Sequence, residues 1–199
     1  MKEREVFRNT SRVKEERYNY AVGIAADLFL EKGIDAVKMT DIAENSGIGV
    51  ASLYRFFETK TEIVIRAGSI LWKRINSDFL EYINRWNGKT GMDKLVYDLG
   101  YFRNLYVNHR SFIKFLDDFD HIMLEEKVPK ERLREYESSV VNFYVPLSEA
   151  CEMGKMDGTI RKDASISDVY FSVTHALLAV CQKFIRGEIL TGDNFYNAG

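Results

Sequence analysis

Thr40-Asp41-Ile42-Ala43-Glu44-Asn45-Ser46-Gly47-Ile48-Gly49-Val50-Ala51-Ser52-Leu53-Tyr54-Arg55-Phe56-Phe57 holds two short helical patterns on either side of a glycine turn. Thr40 is placed to cap the first, Asp41 sits favourably in its first turn, and Gly47 supplies the left-handed residue that stops it. Val50–Phe57 reads as the second, with Leu53 and Phe56 or Phe57 facing inward. Helices of six to eight residues are not stable alone in water. This pair therefore needs a third helix to lie on, and Lys14–Lys32 provides it. There Tyr18, Ala21, Val22, Ala25, Leu28 and Phe29 recur at three- and four-residue spacing, and Gly33 follows.

Downstream, Thr59-Lys60-Thr61-Glu62 is a capping box that opens a long helix running to about Trp86, broken by Asn87-Gly88 and Gly91. Met92 to Asn108 is apolar nearly all round, as suits the centre of a bundle. Ser111–Glu126 reads as the next helix. A further one is expected from Pro129 to Gly154, kinked at Pro146, and Ser165 caps another that runs to Arg186. The first sixteen residues read as a mobile arm. The expected fold is all-α: a three-helix head, residues 1–60, followed by a larger helical-bundle body, residues 61–199. Two prolines in 199 residues fit so helical a chain.

The formal net charge is −2, and residues 1–60 carry ten Lys/Arg against ten Asp/Glu. A polycation that coats nucleic acid by charge alone is excluded, and any such contact must be local. Cys151 and Cys181 lie 30 residues apart, as expected of space-filling thiols in a reducing, cytoplasmic compartment. The charged start has no secretory pattern, and the apolar run from Val169 to Cys181 is too short and polar to cross a membrane. No nucleophile–base–acid order, glycine-rich phosphate loop or Cys/His cluster is present, so neither an enzyme nor a cofactor is expected.

Glycine-turned helix pairs serve both as inert packing and as DNA readers whose second helix enters the major groove. Taken singly, Tyr54, Arg55 and Lys60 are compatible with packing or with solvent. Their order is more specific. Ala25-Ala26, Leu28-Phe29, Gly33, Val37, Thr40, Ile42-Ala43, Gly47-Ile48, Leu53-Tyr54, Phe56-Phe57 and Lys60 closely resemble the head of the TetR family of one-component transcriptional regulators. The resemblance implies that Thr40, Tyr54 and Lys60 face phosphates, contacts that set register without reading sequence. Val50, Ala51, Ser52 and Arg55 would then meet base edges, Arg55 suiting guanine and Ala51 a thymine methyl. Gly49 and Ala51 depart from the family's usual serine and glycine, which leaves the operator sequence open.

Residues 61–199 hold 19 of the 26 aromatic residues. Most suit plain core packing, but the resemblance implies a cavity among the middle helices. A small hydrophobic or aromatic effector is expected there, among Tyr101, Phe102, Tyr106, Phe119, Tyr136, Phe143 and His175. TetR proteins pair through their last two helices, which makes Val169, Val173, Ala176, Leu177, Val180 and Phe184 the expected homodimer seam. After Gly187 only twelve residues remain, so either the final helix is abbreviated or the chain is cut short. The expected activity is thus a ligand-responsive regulator, most simply a repressor, that binds a palindromic operator as a dimer. The rival readings are a TetR-like dimer working through protein contacts without DNA recognition, and a helical metalloprotein using Asp117 and His121 at i, i+4 spacing.

Overall fold

Gly33, at φ 86°, ends the first helix in the left-handed region that glycine enters without strain, and its N–H donates to the Phe29 carbonyl at 3.0 Å. In the computed structural model, which describes residues 2–187 and side chains from Arg12 onward, that helix, α1, runs Lys2–Lys32. The expected mobile arm is therefore helical from Lys2. No Gly or Pro precedes Gly23 to break the hydrogen-bond ladder, and Arg12 pairs with Glu16 one turn on at 3.0 Å. The chain continues through α2 (Met39–Ser46), α3 (Val50–Phe57), α4 (Lys60–Asn84), α5 (Gly91–Leu99), α6 (Tyr101–Asn108), α7 (Arg110–Glu125), α8 (Lys130–Ser139) and α9 (Tyr144–Asp157). Then come α10 (Ile166–Val169), a π turn over Tyr170–Thr174, and α11 (His175–Arg186). The fold is all-α, and there is no strand among the described residues. Residues 188–199, on which the expectation about a shortened final helix falls, lie outside the described residues.

Two compact units form, one from Met1–Ile75 with Phe115–Val140, the other from Asn76–Lys114 with Val141–Gly199. In the first, Ala21, Val22, Ala25 and Phe29 of α1 are buried together with Ile42, Ala43, Ile48, Leu53 and Phe57. Phe29 also meets Phe115, which meets Phe119 in turn. The first half of α4 is tied to α8 and to the turn before it by polar bonds. Thr61 donates to the Glu126 carboxylate at 2.5 Å, Arg132 to Glu62 at 2.9 Å, and Trp72 Nε1 to the Tyr136 hydroxyl oxygen at 3.0 Å. Burial alone would raise the Glu62 carboxyl, but hydrogen bonds from Arg132 and Arg66 hold it below the usual range.

In the second unit, Tyr82 and Tyr97 stack at 4.6 Å, and each hydroxyl donates to the other's backbone carbonyl, at 3.0 and 2.9 Å. A hydroxyl bonded to the Tyr97 carbonyl intrudes on the helical ladder beside Gly100. This accounts for the division of the expected helix Met92–Asn108 into α5 and α6. Asp78 Oδ2 gathers Tyr101 Oη at 2.9 Å, Asn104 Nδ2 at 3.2 Å and His109 Nε2 at 3.1 Å. The expected kinked helix through Pro146 is two helices. A continuous one would drive the proline ring into the Asn142 carbonyl. The chain instead opens after Ser139, and Pro146 becomes the third residue of α9, where its missing N–H has no partner to lose. Gly154 does not end α9. It lies inside it, against Gly91: a Cβ on Gly91 would fall 1.9 Å from the Gly154 nitrogen. Asp157 accepts from the Gly91 N–H at 2.7 Å, satisfying the start of α5.

The glycine contacts predict opposite effects of one methyl group. Gly91→Ala forces two backbones apart and should lower stability by about 1–3 kcal/mol in denaturant melts. Gly23→Ala adds a Cβ with nothing within 4 Å inside α1 and should raise stability by roughly 0.5–1 kcal/mol. A second test concerns Asp98, whose side chain is fully buried and held by Lys94 at 2.7 Å. Burial raises its pKa, opposed by Lys94. A raised folded pKa stabilises fully below the unfolded value and loses that contribution as pH rises through the folded one. Lys94→Met should therefore cost about 3–5 kcal/mol at neutral pH and much less near pH 4, where Asp98 takes up a proton. A defect of equal size at both pH values would refute this account of the pair.

Candidate nucleic-acid interface

The head's geometry begins at Gly47. At φ 66° it lets the Ile48 N–H return to the Ala43 carbonyl at 3.1 Å, closing α2 and turning the chain into α3 within three residues. Arg17 of α1 donates to the Gly47 carbonyl at 3.1 Å, which pins the turn to the supporting helix. The expected Thr40 cap is not used. Thr40 is the second residue of α2, and Asp41 instead reaches back to accept from the Lys38 N–H at 2.7 Å. Thr40 is thereby left exposed at the helix start.

α3 begins at Gly49 without a side-chain cap. Leu53 and Phe57 are buried beneath it. Tyr18 of α1 stacks on Phe56 at 3.8 Å, meets Phe57 edge-on at 5.7 Å, and directs its hydroxyl to the Ser52 carbonyl at 3.4 Å. Arg66 of α4 lies over both phenylalanine rings at 5.6 Å. Held from these directions, α3 turns Ala51, Tyr54 and Arg55 to solvent, Tyr54 with 49% of its surface exposed, while Val50 and Ser52 are half-buried. Arg55 Nη2 lies 3.5 Å from Ser52 Oγ. Lys60 is placed differently: half-buried, its ammonium donates to the Ile34 carbonyl at 2.5 Å. Burial lowers its pKa, partly offset by Asp35, Asp41 and Glu126. The supporting contacts of Arg17, Tyr18 and Arg66 carry no motif spacing in the sequence, because each crosses between helices.

The residues expected around an effector divide between the two units. Tyr101, Phe102 and Phe143 come together, with Phe143 at 6.1 Å from Tyr101 and 5.2 Å from Phe102. Tyr106 instead meets Phe184, with Arg110 over its ring at 4.8 Å. His175 is exposed and stacks on Phe171. Phe119 and Tyr136 pair in the other unit, stacked at 4.3 Å. An open groove of about 590 Å³, which sequence reasoning did not single out, runs past Lys89, Glu149, Glu152, Met153, Met156 and Asp157.

Along the expected seam, Ala176, Val180 and Phe184 are exposed, the last two at 46% and 48%, whereas Val169, Val173 and Leu177 are half-buried. The π turn adds a residue to the helical register there, and Phe171 faces solvent at 62%. Among the described residues no group of three or more His, Cys, Asp or Glu side chains could hold a metal, and no helix is long and apolar enough to cross a membrane.

Residues 24–67 match the model of bacterial regulatory proteins of the tetR family. An HTH-type transcriptional regulator of Staphylococcus aureus (strain MRSA252) is 44% identical over 54 residues. That match takes in 26% of this chain, which spans only 27% of the curated relative's length. Among solved structures, FadR of Bacillus subtilis in complex with stearoyl-CoA aligns with a TM-score of 0.58 at 16% identity, over 85% of this chain and 88% of that one. FadR of Thermus thermophilus, a TetR family repressor in complex with lauroyl-CoA, aligns with a TM-score of 0.56 at 15% identity, over 87% and 85% of the two chains. At such identity the structural likeness speaks for the fold, and the 24–67 segment speaks for the family. Residues 24–67 are thus similar to the tetR family of bacterial regulatory proteins, and the chain shares the all-α fold of TetR-family structures.

Proposed function

We propose that the chain is a ligand-responsive transcriptional repressor that binds a palindromic operator as a homodimer and releases it when a small apolar or aromatic effector binds. The observation that carries the proposal is the outer face of α3. Ala51, Tyr54 and Arg55 stand exposed on a helix whose opposite face is buried, which is how a recognition helix must be held to enter a major groove. Residues 1–60 are the DNA-binding module, and residues 61–199 the ligand-binding and dimerisation module. Thr40 and Tyr54, both exposed, suit phosphate contacts. Lys60 shares its ammonium with the Ile34 carbonyl and has two further hydrogens for a phosphate.

With ten bases balanced by ten acids in residues 1–60, one head gains little from charge alone. Useful affinity then needs two heads about 34–36 Å apart, or a multiple of that spacing. Of the expected seam residues on α11, Ala176, Val180 and Phe184 are exposed and so available to meet a second copy. The two FadR relatives, bound to stearoyl-CoA and lauroyl-CoA, support an effector with a substantial apolar part. Release follows if that effector prefers a body conformation in which the heads no longer match the operator spacing.

A gel shift with DNA from upstream of the chain's own gene, at ~0.1 M salt, is the direct test, and no sequence-specific binding would sink the proposal. Arg55→Ala should weaken operator binding by about 1–3 kcal/mol and relax the preference at one base position per half-site. A protein-contact module without DNA recognition predicts no effect of that substitution. Val180→Asp should shift the chain to monomer in sedimentation and abolish tight operator binding while leaving the head's helicity intact. A dimer that persists places the partner surface elsewhere.

A further inference from the structure

In the first unit α8 makes few commitments. None of its side chains is fully buried; Leu133, Tyr136 and Ser139 are half-buried and the others are exposed. It follows Lys127, at φ 50° in the left-handed region unusual for a side-chain-bearing residue, and Pro129, and it ends where Val140 turns extended. The helix is thus a polar segment between two breaks, tied down by the Arg132–Glu62 ion pair and by one aromatic ring.

That ring is seated as a ligand would be. Tyr136 stacks on Phe119 with centroids 4.3 Å apart and planes within 19°. One edge of the ring presses on α4 where Gly68 leaves room: a Cβ on Gly68 would fall 2.8 and 2.9 Å from two Tyr136 ring carbons. Its hydroxyl oxygen accepts from Trp72 Nε1 at 3.0 Å. One aromatic face, one bare stretch of backbone and one directed donor make a slot for a flat ring bearing a single hydroxyl. Burial pushes the Tyr136 phenol well above its usual pKa, outweighing the opposite pull of the Trp72 hydrogen bond, with Asp120 adding to the rise. The slot therefore disfavours an anion.

We propose that Tyr136 is a built-in occupant of a ligand site formed by Gly68, Trp72 and Phe119, and that a neutral phenolic ring takes its place when α8 swings away. This rests on the effector-released regulator proposed above and names the effector's recognised part. The site is also joined to the head. Tyr136 touches Phe119, Phe119 touches Phe115, and Phe115 touches Phe29 of α1, while Arg132 reaches Glu62, whose partner Arg66 covers Phe56 and Phe57. When α8 swings away, Tyr136 leaves the first chain of contacts and Arg132 the second, so each loses one end.

The test uses the full chain in a Trp86→Phe background, which leaves Trp72 as the single tryptophan, with p-cresol as probe and 4-methylbenzoate as its anionic counterpart. If the open form makes up about 1–10% of the parent, Tyr136→Ala should bind p-cresol roughly 10–100-fold more tightly than the parent. Binding is read as a saturable change in Trp72 emission, with 4-methylbenzoate failing to compete. Adding Gly68→Val to Tyr136→Ala should abolish it. In the parent, saturating p-cresol should speed amide exchange across residues 130–139. This second measurement decides the matter even where Tyr136→Ala folds poorly. Equal p-cresol affinity with and without Tyr136, or unchanged exchange in 130–139, overturns the site. Neither measurement involves DNA. Tight binding to Tyr136→Ala together with an operator affinity indifferent to p-cresol would therefore keep the site and remove the effector-release reading.

Discussion

An eight-residue helix has too few hydrogen bonds to hold itself together in water, so α3 exists because Leu53 and Phe57 are buried beneath it. Two such side chains contribute about 1.5–3 kcal/mol each, enough to offset the ordering of a short helix but not to fix its direction. Direction comes from Tyr18. Its ring lies flat on Phe56 and edge-on to Phe57, and its hydroxyl reaches the Ser52 carbonyl, so the rotation of α3 about its own axis is set by a side chain of α1. Turning α3 by about half a turn would bury Arg55 and expose Leu53, a change opposed by both charge desolvation and lost apolar burial. Presentation of Tyr54 and Arg55 to solvent is thus a consequence of how the opposite face is packed.

The support extends past the three-helix head. Thr61, Glu62 and Trp72 each bond to a residue of α8 or of the turn before it, and Phe29 rests on Phe115, so the opening half of α4 moves with α7 and α8 rather than alone. Four ties of different kinds make this part of the molecule hard to bend at Lys60. A conformational change felt by α3 is therefore more easily delivered as a loss of one of these ties than as flexure of the helix. The Glu62 carboxylate, shared by Arg66 and Arg132, is the tie nearest to α3.

Much of this architecture was legible in the sequence, for identifiable reasons. Periodic apolar positions marked α1 and α4, and Gly33 and Gly47 announced left-handed turns because few other residues tolerate them. What was missed depended on contacts between distant segments. Gly91 read as a breaker, whereas it lies at the start of α5 because a second helix passes too close for any Cβ. Gly100 carried no stop signal, and the division there follows from Tyr82, fifteen residues before the Tyr97 carbonyl it engages. Pro146 was assigned to the middle of one helix, since nothing local reveals that the chain has just restarted. In the candidate interface, Thr40, Ala51, Tyr54 and Arg55 lie exposed, whereas Val50 and Ser52, read as part of the same face, are half-buried. The half-burial of Lys60 could not be foreseen, because its partner is a backbone carbonyl.

The aromatic residues expected to line one cavity show the same limit from the other side. Composition identifies aromatic side chains but not which of them share a wall. Tyr101, Phe102 and Phe143 pack on one another, and Tyr101 also donates to Asp78, which makes this cluster both filled and hydrogen-bonded. Opening it for a guest would break a partly buried tyrosine–carboxylate bond as well as aromatic contacts. Phe119 and Tyr136 pose a smaller obstacle. One of the two rings belongs to a helix with no fully buried side chain, and its hydroxyl is held by a single indole N–H that any phenol can satisfy. Between two aromatic clusters of similar composition, the one whose occupant can be exchanged like for like has the lower barrier to admitting a ligand.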